Sequence, residues 1–197
     1  VTISVTSDDA VFIRKSVQEV LISLLITVVI VIATIWVFLG SWKATIIPTV
    51  AIPIALVGTL TGIWLMGFSI NLLTLLALVL ATGLIVDDAI VVLENIQRQQ
   101  SQGVPKRAAA AIGTRQVFFA VIATTAVLVA VFVPLSFLPS TVGRLFREFG
   151  FVLAFSVIIS SFVALTLSPA IAAKFTLVKK SEKPNVFARI GNPLRDL

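Results

Sequence analysis

Hydrophobic and polar positions alternate along this chain on a long period. Runs of apolar residues about the length of a bilayer crossing are separated by short polar breaks. A helix needs roughly 20 mostly apolar residues to cross the hydrocarbon core. Five stretches reach that length, at 20–39 and at about 44–66, 70–93, 117–138 and 149–175. The breaks "GSWK" and "GFS" leave room only for a direct reversal, so the first three spans are predicted antiparallel neighbours. Ahead of them, Val1, Ile3 and Val5 alternate with polar residues, which predicts the end of a strand, and a lead-in helix follows up to residue 19. Residues 176–197 read as a linker beyond the last span. Its "NVFARIGNPLRDL" places Phe187, Ile190 and Leu194 at helical spacing beside Arg189 and Arg195. That pattern fits an interfacial amphipathic segment or a charged linker.

Composition agrees with lipid as the main solvent. The chain is 58% hydrophobic and 12% charged, whereas about a quarter of an ordinary soluble domain is charged. The predicted fold class is an all-α membrane protein with five transmembrane helices and a short strand/helix lead-in. Cysteine and histidine are absent, which excludes disulfides, thiol nucleophiles, the usual zinc sites and a Ser-His-Asp triad. No metal site, cofactor site or enzymatic activity is predicted. No basic stripe is interleaved with aromatics, so nucleic acid is not expected as a partner. Residue 1 is Val, and the expectation is a piece of a longer protein whose preceding part folds outside the membrane.

Charge then orients the spans. Arg98, Lys106, Arg107 and Arg115 follow the third span, Lys43 follows the first, and Lys174, Lys179, Lys180 and Lys183 follow the fifth. Excess Lys and Arg mark cytoplasmic loops, so these three segments are predicted inside, with the N-terminus outside and the C-terminus inside. In the loop 94–116, "GVP" is expected to end one helix and "KRAAAAIG" to form a short helix on the cytoplasmic surface. Gly58, Gly62 and Gly67 are spaced for close helix contact, and Pro48, Pro53 and Pro134 for kinks that shape packing.

The candidate chemistry lies in "GLIVDDAIVVLEN", where Asp87 and Asp88 stand side by side in the third span. At 100° per residue, Asp87 shares a face with Leu76, Leu80, Gly83 and Glu94. Asp88 shares one with Thr74, Ala77, Ala81 and Asn95. The two carboxylates are therefore expected to address different neighbours. Gly83 would leave a gap beside Asp87, and the small residues Ala81 and Thr74 would allow close packing on the Asp88 side. Asp87 lies roughly 10 Å inside Glu94 along the axis. An Asp at a helix centre costs on the order of 2.5–3.5 kcal/mol by insertion scales. Two are tolerable when protonated, paired with a cation or facing water. Apart from Lys174 at the very end of the fifth, the five apolar runs contain no Lys or Arg, so the partner is a proton or a cation from elsewhere. A carboxylate pair whose proton occupancy depends on access suits a proton-coupled machine. A structural pair that only fixes packing is the alternative.

These residues resemble the resistance–nodulation–division (RND) transporters. "GLIVDDAIVVLENIQR" is similar to that family's fourth-span signature. "GFSINLLTLLALVLATG" precedes it, and "FVPLSFLPSTVGRLFREFGF" and "ALTLSPAIAA" follow in the family's order. The double Asp resembles the hydrophobe/amphiphile multidrug branch. The resemblance implies that the chain is spans two to six of twelve, half of an RND-type transmembrane domain, with the end of a periplasmic porter domain at 1–19. It implies Asp87 and Asp88 as proton-relay acids, protons as the coupling ion, and a partner Lys and hydroxyl on spans of the second half. It further implies a homotrimer in the bacterial inner membrane that exports amphiphilic small molecules. A periplasmic adaptor and an outer-membrane channel would be its partners. Export of a lipid or other amphiphile is the alternative within the superfamily, and a non-transporting membrane scaffold the alternative outside it.

Overall fold

The computed structural model describes residues 9–137, 139 and 141–177. The predicted strand at the start and the amphipathic tail lie outside the described residues. Within them the fold is five helices, α1 Asp9–Leu39, α2 Trp42–Leu65, α3 Leu72–Ser101, α4 Lys106–Leu135 and α5 Thr141–Ala172. All five are long and apolar enough to cross a membrane. No strand occurs among the described residues.

The helices follow from the apolar runs, and their ends follow from local chemistry. Gly40, Gly67 and Gly103 take positive φ of 59°, 70° and 88° at the ends of α1, α2 and α3, where a Cβ would be strained. Gly67 is thus a turn residue rather than a helix-contact residue. Asn71 starts α3 with a capping box: its side chain accepts from the backbone N–H of Leu73 and Thr74 at 2.9 Å, and the Thr74 hydroxyl accepts from the Asn71 N–H at 2.8 Å. α2 runs unbroken through Pro48 and Pro53.

The lead-in helix runs on into the first span as one continuous helix. One expectation is corrected: no separate surface helix exists in 94–116. α3 continues to Ser101, a turn at 102–105 follows, and "KRAAAAIG" is the first part of α4. The alanines favour helix, and no proline interrupts between Pro105 and Pro134, so the helix propagates into the membrane run. Gly113 is accommodated because the α3 backbone comes close: a Cβ there would lie 3.0 Å from the Ile96 Cα.

α3 is the hub and packs against the four other helices. α5 packs against α2, α3 and α4, while α1 and α4 flank the bundle without touching each other. Gly58 and Gly62 of α2 face α5, where Ile159 and the Phe155 ring occupy the space their Cβ atoms would need. The core divides along the bundle axis. Ile52, Leu78, Ile85, Val86 and Leu153 belong to one cluster. Ile47, Ala89, Val92, Ile96 and Ala164 belong to the second. On α3 the changeover falls between Val86 and Ala89, at Asp87 and Asp88.

Candidate functional site

Asp87 and Asp88 lie at the midpoint of the 30-residue α3. Helical geometry turns them about 100° apart, and the bundle treats them differently. Asp88 is half-buried and faces α5, where Ser160 stands beside its carboxyl group. Ser160 is buried, and its Oγ donates to the Ile85 carbonyl at 2.9 Å, joining α5 to α3 one turn before the acids. Asp87 is exposed and meets none of the other four helices face-on. It belongs to a stripe of α3 left uncovered along its length: Leu76, Leu80, Gly83, Asp87, Val91 and Glu94 are all exposed. Neither acid forms an ion pair among the described residues.

The other sequence-predicted residues separate. Gly83 sits on the uncovered stripe with nothing within 4 Å of where its Cβ would be, so open space does adjoin Asp87. Ala81 is buried on the packed side, two turns before Asp88. Thr74 is buried at the far end, roughly 21 Å along the axis from Asp88, where its hydroxyl completes the α3 cap.

Sequence reasoning missed Ser160. The signal available was the run of hydroxyls at Ser156, Ser160 and Ser161 inside an apolar span, all three of which are buried. It also missed two polar clusters at the ends of α3. At one end Asn71 Nδ2 donates to Glu148 Oε2 at 2.6 Å, and the Ser69 hydroxyl donates to the same oxygen at 3.3 Å. This holds the α2–α3 turn to α5. At the other end Asn95 Nδ2 donates to the Gly113 carbonyl at 2.7 Å and to Gln116 Oε1 at 2.9 Å. Gln99 Nε2 donates to that same Gln116 oxygen at 2.9 Å. Both ends of α3 are therefore pinned, while the acids sit between them beside an uncovered face.

A membrane-length helix carries two adjacent acids at its midpoint and has one uncovered side. The AcrB/AcrD/AcrF family model matches residues 1–196. The chain belongs to the AcrB/AcrD/AcrF family. This agrees with the RND resemblance carried by the α3 motif. Among similar family members is the multidrug resistance protein MdtC of Photorhabdus laumondii, 45% identical over 190 residues. That match covers 96% of this chain and 18% of the relative, so the chain spans less than a fifth of that protein's length. As a family member, the chain contributes five membrane-length helices with an acid pair on the central one.

Proposed function

We propose that this chain is part of a proton-coupled efflux transporter in which Asp87 and Asp88 are the intramembrane relay carboxylates. The observation that carries the reading is their placement. Two acids at the centre of a membrane-length helix have no cationic partner among the described residues, and one of them opens onto a face that no other described helix covers. Ionised carboxylates so placed need a proton, a cation or water to be tolerable. A change in what faces Asp87 would then change whether the pair holds a proton. Family membership supports export, and the name of MdtC supports drugs as the cargo. On this reading protons are the coupling ion and no other cofactor takes part. The partner cation and hydroxyl come from the second half of a twelve-span protein and reach the α3 stripe at Asp87. The intact protein is a homotrimer in the bacterial inner membrane, working with a periplasmic adaptor and an outer-membrane channel.

The test uses the intact protein carrying this chain. Asp87→Asn and Asp88→Asn, made separately, are expected to abolish drug resistance while membrane level and oligomeric state stay normal. Resistance close to wild type in both variants would sink the relay assignment.

A further inference from the structure

At the basic end of the bundle, an open groove of about 950 Å³ lies between the α1–α2 turn and the last turns of α3. Lys43 and Arg98 line it, with Trp42 on the rim. It adjoins a narrower slot of about 410 Å³ between α1 and α3, walled by Ile35, Phe38 and Ile90 with Thr34 at its edge. Leu39, Glu94 and Gln97 line both spaces, so they form one cleft that is charged at one end and apolar at the other.

The charges are uncommitted. Neither Lys43 nor Arg98 makes an ion pair or a side-chain hydrogen bond among the described residues. Glu94 is one helical turn before Arg98, the spacing at which such pairs form, yet it is not bonded to it. Two cations against one carboxylate leave the groove with a net positive charge. The Trp36 and Trp42 rings are 5.3 Å apart, and both are exposed beside it. Exposed tryptophans of this kind mark the headgroup level of a bilayer. Basic clefts between helices at that level suit phosphate-bearing lipid headgroups. A soluble anion would use the charged end alone, and the apolar slot would have no role.

We propose that this cleft binds one anionic phospholipid, with its phosphate between Lys43 and Arg98 and one acyl chain in the slot between α1 and α3. The two cations, unpaired among the described residues, match the headgroup, and the continuity of the two spaces matches a molecule with a polar head and an alkyl tail. Glu94, at the junction, disfavours a second negative charge deeper in the cleft, which favours a singly charged diester.

Native mass spectrometry of the intact protein, delipidated in detergent and titrated with phosphatidylglycerol or with phosphatidylcholine of the same chains, tests this. The wild type is expected to retain one phosphatidylglycerol per subunit in clear preference to phosphatidylcholine. Lys43→Gln with Arg98→Gln is expected to weaken phosphatidylglycerol retention roughly twenty-five-fold, from about fivefold per basic residue near a membrane surface. Lys43→Arg with Arg98→Lys should keep it. Thr34→Trp, which fills the slot without touching a charge, should weaken retention of both lipids. Retention unchanged in the double Gln variant overturns the proposal, as does a wild type that retains no preferred lipid because protein fills the cleft. Complete displacement by millimolar inorganic phosphate, with Thr34→Trp silent, also overturns it and makes the cleft a soluble-anion site.

Discussion

Two glycines of similar sequence context carry opposite expectations. Gly62 of α2 is pressed by the Phe155 ring, whereas the space beside Gly83 of α3 is open. Adding a methyl group at Gly62 forces helix or ring to move, an overpacking cost of about 1–3 kcal/mol. Adding one at Gly83 removes a glycine from a helix interior, worth up to about 1 kcal/mol of stability. Gly62→Ala should therefore lower the thermal midpoint of the purified protein, and Gly83→Ala should leave it unchanged or raise it. A lowered midpoint for Gly83→Ala would mean that the Asp87 stripe is tightly covered in the intact protein. At this scale the acid pair was legible in the sequence, because charge in an apolar run is rare and costly. Ser160 was not, because hydroxyls are common in membrane helices and commonly bond their own backbone. Ser156 does so here, donating to the Val152 carbonyl at 2.7 Å. Nothing in one sequence says that Ser160 instead reaches across to Ile85.

Helix ends show why element boundaries were harder to read than element existence. Hydropathy locates the part of a helix that sits in lipid, but α3 and α4 continue past it through residues that are polar and still helix-forming. Amide side chains then take the place of lipid contacts. Asn95, Gln99 and Gln116 lock α3 to α4 where the sequence suggests a loop carrying a short surface helix. At the other end of α3, Asn71 serves two elements at once. It caps its own helix and donates to Glu148 of α5. Loss of an N-cap costs about 1 kcal/mol, and a hydrogen bond to a charged group contributes about 1.5–3 kcal/mol more. Asn71→Ala should thus reduce thermal stability more than Glu148→Gln, whose amide oxygen can still accept from Asn71. Equal losses would assign the whole effect to the bond with Glu148 rather than to the cap.

Across the whole molecule, the alternation of spans was readable because each turn is short, and three side-chain contacts agree with it. Lys106 Nζ donates to the Lys174 carbonyl at 3.1 Å, Gln100 Nε2 to the Phe175 carbonyl at 3.3 Å, and the Leu177 N–H to Gln100 Oε1 at 2.8 Å. These bring the end of α3, the start of α4 and the end of α5 to one end of the bundle. Lys43 joins them there through the groove it shares with Arg98. Beyond the neighbours joined by short turns, which helix lies beside which was not legible, since apolar faces in lipid carry little directional information; the hub position of α3 emerges only from packing. The asymmetry of charge gives the assembly a direction across the membrane. Lys and Arg resist translocation and collect on the cytoplasmic side, so Ser101 should face the cytoplasm and Ser69 the opposite side. The chain has no cysteine of its own, and both serines are exposed. Ser69→Cys and Ser101→Cys can therefore be introduced singly into the intact protein, cleared of any other reactive cysteine. In sealed spheroplasts a membrane-impermeant maleimide is expected to label Ser69→Cys at once and Ser101→Cys only after permeabilisation. The reverse order would invert the bundle and place the basic cleft on the outer side.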